Sequence, residues 1–251
     1  MSTISAPARK GSARPHLPEN AAPQSLEHSL EQNALWAILS GINTASPAPH
    51  HPLLQRLFDV TVSASLLLLL APLLSIIWLR LLQTGTVPLY RHARIGRHGK
   101  RFTCLKFSTM YPDSDEVLRR HLRDNPLARL QWETYRKLRN DPRVTPFGRF
   151  LRRTSFDELP QLWNVLRGEM SIVGPRPILP HESQSYGSAL AIYQSVRPGL
   201  TGLWQVSGRS KLGFRERVML DMLHICNRTF WLDLVILIKT IGVVIRGNGA
   251  W

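Results

Sequence analysis

The chain has 251 residues, with 32 Lys or Arg against 17 Asp or Glu and a formal charge of +15. That length accommodates one globular domain with appendages, and the charge favours polyanionic partners: nucleic acid, anionic lipid headgroups or nucleotide diphosphates. The two cysteines, Cys104 and Cys226, form no C-x-x-C pair and the nine histidines show no H-x-x-x-H spacing, which speaks against a disulfide framework and a zinc site and predicts a reducing compartment without a transition metal.

Residues 1 to 24 are rich in Ser, Ala, Pro and basic side chains and nearly free of large apolar ones, a composition that cannot offset its own ordering entropy. Disorder is the expectation there. Between Ser25 and Ile42, the spacing of Leu26, Leu30, Leu35, Ile38 and Leu39 predicts a short amphipathic helix, and SPAPHHP then reads as a linker. Residues 1 to 50 are thus an extension, without a secretory signal.

From Val60 to Leu79 the chain carries 20 uncharged residues between Asp59 and Arg80, enough at ~1.5 Å per residue to cross a ~30 Å hydrocarbon layer. Pro72 interrupts this run, and its missing N–H and ring clash predict a broken helix. Basic residues lie on both flanks: Arg56 before, and Arg80, Arg91, Arg94, Arg97, Lys100 and Arg101 after. By the positive-inside tendency both ends face the cytoplasm, so a segment over 55 to 82 that enters one leaflet and returns satisfies length, proline and charge together. A proline-kinked span is the other reading.

Ile95 to Met110, IGRHGKRFTCLKFSTM, predicts a glycine turn and a short strand ending near Lys106, a side chain able to reach a phosphate or simply to be solvated. Asp115 to Arg139 reads as one charged helix, ended by Asn140-Asp141-Pro142. In Leu151 to Pro177, LRRTSFDELPQLWNVLRGEMSIVGPRP, the adjacent carboxylates Asp157 and Glu158 stand among Arg152, Arg153, Arg167 and Arg176. One acid could attack phosphorus or hold a metal while guanidiniums neutralise phosphoryl oxygens. The same letters also form an S-x-x-E capping box, Ser155 to Glu158, opening a helix through Leu159, Leu162 and Leu166 that stops at Gly168. A helix N-terminus is itself an anion site, so the readings coexist. Val196 to Arg209, VRPGLTGLWQVSGR, predicts a tight loop around Trp204 and Arg209 that faces an anion or merely turns the chain. The apolar stretch Phe230 to Ile245 carries Asp233 and Lys239, which argues against a second crossing and for an interfacial helix anchored by Trp231 and Trp251, with a plain core helix as the rival.

Taken in order, KFSTM, DPRVTPFGRFLRRTSFDELPQLWNVLRGEMSIVGPRP and VRPGLTGLWQVSGR behind a proline-interrupted apolar anchor resemble the bacterial sugar transferase family, the monotopic polyprenyl-phosphate phosphoglycosyltransferases. The resemblance covers Gln55 to the C-terminus. It implies a helix-rich α/β catalytic domain over 83 to 251 on a re-entrant anchor, at the cytoplasmic face of the bacterial inner membrane. It implies transfer of a sugar 1-phosphate from a UDP-sugar to undecaprenyl phosphate with release of UMP, in exopolysaccharide or O-antigen assembly. Residue by residue, it makes Asp157 the nucleophile, Glu158 the neighbouring acid that helps hold Mg²⁺, and Lys106, Arg152, Arg176 and Arg209 the basic groups at the phosphates. The partners it implies are the UDP-sugar, undecaprenyl phosphate and membrane lipid, without nucleic acid; a homodimer is compatible with it.

Here Ala71 precedes Pro72 where the family usually has serine, Phe156 replaces a leucine, Ser108 an arginine, and CNRTF after His224 an NWS-like stretch. The long charged segment Ser114 to Arg139 resembles the galactose 1-phosphate members, with glucose 1-phosphate as the alternative. From other classes, a membrane-tethered polyanion-binding module or a structural membrane scaffold would explain the charge or the anchor, but not the order of the phosphate-handling motifs.

Overall fold

The computed structural model describes residues 52 to 246 except 136, 188 and 209 to 211. The expectations for residues 1 to 50, for Arg209 and for Trp251 lie outside the described residues. Within them the chain is helix-rich α/β, with two small sheets. The first element is a 32-residue helix, α1 (Pro52–Gln83), about 48 Å long at ~1.5 Å per residue.

Helix α1 does not end at Pro72, as the sequence suggested, but continues through it. A proline already has helix-compatible φ, so its local effect is the lost bond to the carbonyl of Leu68 and a tendency to kink. Both ends of α1 are seated on the same body. Near its start, Arg56 donates to the carbonyls of Val165 and Leu166 at 2.6 Å each, and Asp59 accepts from Ser171 Oγ at 3.0 Å and from the Ile172 N–H at 2.8 Å. Near its end, Ile77 and Leu81 are buried with Phe107 and Leu151. Between these attachments Leu68 and Leu69 are 80% and 74% exposed, so the middle of the helix presents apolar side chains outward.

After α1, β1 (Leu89–Ile95) and β2 (Arg101–Phe107) form an antiparallel hairpin in which Leu89 faces Phe107 and Tyr90 faces Lys106. Its turn is closed by His98 and Gly99 at positive φ. The predicted single helix over Asp115 to Arg139 is two, α2 (Ser114–Asp124) and α3 (Pro126–Tyr135), because Pro126 disfavours helical backbone at Asn125 while fitting the first turn of a new helix.

The predicted capping box at Ser155 is corrected too. A helix, α4 (Pro146–Thr154), comes first; it is opened by Thr145, whose hydroxyl accepts from the Gly148 N–H at 2.8 Å, and by Pro146 in its first turn. Ser155 is then its left-handed C-cap at φ 59°, Phe156–Glu158 form a single 3-10 turn, and α5 (Gln161–Leu166) begins after Pro160. A helix started at Ser155 would carry Pro160 in its interior, which removes a hydrogen bond and clashes with the preceding turn. Gly168 does follow the helix end, at φ +78°.

Strand β3 (Ser171–Val173) pairs in parallel with β4 (Gly199–Thr201), joined through a 3-10 segment, Pro180–Tyr186, and α6 (Ala189–Ser195). The Val196 to Arg209 loop expectation is thereby corrected: its residues supply β4 and a short helix, α7 (Leu203–Ser207). Close approach explains its glycines, since a Cβ on Gly199 would stand 2.1 Å from the Gly174 nitrogen. Helices α8 (Phe214–Cys226) and α9 (Phe230–Arg246) complete the chain. Asp233, the charge that argued against a second crossing, is held by His224 Nε2 at 2.7 Å and Arg228 Nε at 3.0 Å. One face of α9 packs inward through Ile236, while Trp231, Val235, Ile238 and Ile241 form an exposed apolar stripe at helical spacing.

Candidate active site

Three local devices bring Lys106, Arg152 and the acidic pair together. The first is Asn164 on α5, whose amide donates to the Thr103 carbonyl at 2.7 Å and accepts from the Leu105 N–H at 3.0 Å. This buried amide fastens α5 along β2, and the 3-10 turn immediately before α5 is therefore presented to Lys106. The second is Gly148, whose missing side chain lets α4 meet the Thr109 backbone: a Cβ there would lie 2.1 Å from the Thr109 carbonyl oxygen. Thr109 Oγ1 then accepts from Arg152 Nε at 2.9 Å, so the strand end and the last turn of α4 share one guanidinium. The third is the left-handed Ser155, which reverses the chain between Arg152 and Asp157.

At the centre Lys106 Nζ donates to Glu158 Oε1 at 2.6 Å. Burial disfavours the ammonium, but the charges of Glu158 and Asp157 more than offset it and the Lys106 pKa rises. Asp157 is pushed up to about 6, first by burial and then by the adjacent Glu158, against the lowering influence of Lys106 and Arg152. A half-buried carboxylate poised near neutrality among cations is what a nucleophile at phosphorus requires: ionised at working pH, yet incompletely solvated. Arg153 is exposed and Arg167 pairs with Glu169 at 3.4 Å, so neither of these sequence neighbours belongs to the cluster.

Arg176 stands in a second basic group. Its backbone N–H donates to Asp221 Oδ2 at 3.3 Å, its guanidinium lies 3.7 Å from Glu182, and both it and Arg217 stack on Trp204 at 5.9 and 5.1 Å from the ring centroid. Burial and the charges of Arg217, Arg176 and Arg152 lower the Lys137 pKa, which places Lys137 within electrostatic reach of both basic groups. Lys137 and Arg217 were not singled out from the sequence. Their helical and loop surroundings read as solvated surface, and no local spacing marks a lysine and an arginine 80 residues apart as neighbours.

Asp157 and Glu158 offer adjacent hard oxygen donors on a single 3-10 turn, and burial together with the charge of Glu158 raises the Asp157 pKa, so a cation bound there would favour the ionised pair. The pair therefore fits a magnesium ion, which commonly binds through one or two carboxylates plus substrate phosphate.

The family profile described as bacterial sugar transferase matches residues 50 to 247. Among curated proteins, the chain is 48% identical over 198 residues to a UDP-galactose-lipid carrier transferase of Erwinia amylovora and 48% identical over 198 residues to an undecaprenyl-phosphate galactose phosphotransferase of Salmonella typhimurium. Each alignment covers 79% of this chain and 42% of the relative, so the match spans about two fifths of the length of these relatives. The exopolysaccharide production protein ExoY of Rhizobium meliloti is 46% identical over 209 residues, which is 83% of this chain and 92% of that protein.

Proposed function

Because the chain belongs to the bacterial sugar transferase family, we propose that it transfers a sugar 1-phosphate, specifically galactose 1-phosphate, from a UDP-sugar to undecaprenyl phosphate and releases UMP. The observation that carries this reading is the half-buried Asp157 held beside Glu158, Lys106 and Arg152. The Asp157 carboxylate attacks the β-phosphorus of the nucleotide sugar, the phosphoanhydride bond breaks, and its bridging oxygen leaves with UMP. An oxygen of undecaprenyl phosphate then attacks the aspartyl phosphosugar and displaces Asp157, giving the lipid diphosphate sugar. One diphosphate is consumed and one made, so the site has to supply alignment and charge neutralisation rather than a large driving force.

Lys106 fixes the Glu158 carboxylate and tempers the negative charge around Asp157, Arg152 faces the phosphoryl oxygens from α4, and Arg176 with Lys137 and Arg217 offers charge to the rest of the diphosphate. Asp157 and Glu158 would hold Mg²⁺, which supplies further neutralisation of phosphate oxygens. The two attachments of α1 to one body and the bare Leu68 and Leu69 between them support a re-entrant anchor, and the apolar stripe of α9 supports an interfacial helix. Both would put the site at the depth of a phosphate whose polyprenyl chain stays in the bilayer. The basic residues on both flanks of the apolar run support a cytoplasmic placement of that face.

A UMP-release assay with undecaprenyl phosphate and a panel of UDP-galactose, UDP-glucose and UDP-N-acetylhexosamines is expected to show strongest release with UDP-galactose, loss in chelator and recovery with Mg²⁺. Release from no donor in the panel would refute the reaction class; preference for UDP-glucose would reassign the sugar alone. For the anchor, single cysteines at Leu53 and Gln83, both exposed positions, are expected to label from the same side of sealed vesicles. Opposite-side labelling would mean a crossing.

A further inference from the structure

A groove of about 1000 Å³ runs between α1, the β1-β2 hairpin and α5, and none of the proposed phosphate-handling residues lines it. Leu74 and Trp78 of α1, Leu105 and Phe107 of β2, and Trp163 of α5 give it apolar walls. Three guanidiniums, those of Arg91, Arg101 and Arg167, also line it. Arg91 and Arg101 are exposed and have no acidic partner among the described residues, whereas Arg167 shares Glu169 at 3.4 Å.

Strand alternation puts the groove's basic wall and Lys106 on opposite faces of the hairpin. Arg91 pairs in register with Leu105 and Leu89 with Phe107, and these residues share one face of the hairpin. Lys106, paired with Tyr90, belongs to the opposite face, where it meets Glu158. A phosphate seated on Arg91 and Arg101 therefore lies on the hairpin face away from Lys106, which makes an amphiphile held there a poor candidate for the acceptor, whose phosphate must reach Asp157.

We propose that the groove binds one anionic glycerophospholipid, its phosphate clamped by Arg91, Arg101 and Arg167 and its acyl chains laid along α1. The charge pattern selects this occupant. Apolar walls beside a membrane-seeking helix accept any lipid tail, but three guanidiniums with a single carboxylate among them favour a headgroup of net negative charge over a zwitterion. Trp78 and Trp163, 40% and 52% exposed, stand on the same walls as amphipathic rings suited to headgroup depth. The bound lipid would fill the space between α1 and the hairpin that protein atoms leave open, and so brace the anchor against the strand that carries Lys106.

The inference rests on the membrane placement of α1, and the test separates the two. The full chain is purified in mild detergent after exposure to vesicles of phosphatidylethanolamine and phosphatidylglycerol, and retained lipid is counted by mass spectrometry. Wild type is expected to keep about one phosphatidylglycerol per chain. The Arg91→Gln/Arg101→Gln double variant and, independently, Ser75→Trp, which fills the groove from an exposed position of α1, are expected to retain about tenfold less while floating with vesicles as wild type does, because each removes either the charge-assisted contacts or the space. Equal retention by wild type and both variants, retention indifferent to headgroup charge, or undecaprenyl phosphate as the retained lipid would each overturn the site. A wild-type chain that fails to float would overturn the membrane placement and the site with it.

Discussion

Asparagine at position 157 is expected to lower turnover by about 10⁴-fold or more and to abolish the phosphosugar adduct, while making the folded protein more stable at neutral pH. The two effects have one cause. In the fold the Asp157 carboxyl titrates at about 6, raised from 3.8 mainly by burial and by Glu158. A carboxyl raised in this way weighs against the native state once it ionises: the penalty is absent below about pH 4, grows between pH 4 and 6, and is fully present above 6. After allowance for partial solvent screening it is on the order of 1–2 kcal/mol, which for a domain of this size is a rise of a few degrees in melting temperature when the charge is removed. Adduct capture by intact-mass measurement and thermal unfolding at pH 4 and pH 7.5 check the two halves. An active asparagine variant that still carries label would remove Asp157 from the nucleophile role; a variant destabilised at pH 7.5 would mean that the carboxylate is there to hold the fold.

The same carboxylate shows how much of the site the sequence discloses. The order of motifs pointed to Lys106, Arg152, Asp157 and Glu158, and the fold brings these four together. The reason they meet was not legible locally. Ser155 and Glu158 spell a capping box, but Pro160 forbids the helix that the box would open, and the helix start lies instead at Thr145-Pro146. What remains at Ser155 is a left-handed reversal, and a positive φ at serine leaves no mark in composition. Asn164, which sets the acidic turn against β2, acts across 59 and 61 residues, and Asp59 reaches Ser171 across 112. Such contacts belong to tertiary packing and carry no periodicity to read.

Proline misled in one direction and helped in another. At Pro126 and Pro160 the ring sits where a helix begins and divides segments that hydrophobic spacing alone would join. At Pro72 the same residue lies inside a continuous helix, because long helical runs on both sides outweigh one lost hydrogen bond. The charges of α9 were informative for a related reason. Asp233 meets His224 and Arg228, so its presence signals a face turned to protein, and the apolar stripe opposite is the face left for lipid.

Replacing Lys106 by methionine is expected to reduce kcat/KM for adduct formation by about 10²- to 10³-fold at neutral pH, the scale of removing one preorganised electrostatic partner. The loss should depend on pH, and that dependence identifies what the lysine does. Lys106 holds Glu158 at 2.6 Å and is among the charges that lower the Asp157 pKa. Without it two adjacent carboxylates share a half-buried turn with Arg152 as the remaining nearby cation, and Asp157 ionises only at higher pH. Since kcat/KM reports groups of the free enzyme, its acidic limb, expected near pH 6 for wild type, should move upward in the variant, and part of the lost rate should return in alkaline buffer. Lys106→Arg keeps the charge and should leave the limb close to its original place, even where a bulkier guanidinium lowers the maximum. If the methionine variant lost the same fraction of activity at every pH, Lys106 would be a support for the turn alone; a shifted limb that arginine restores makes it the residue that sets when Asp157 is ready to attack.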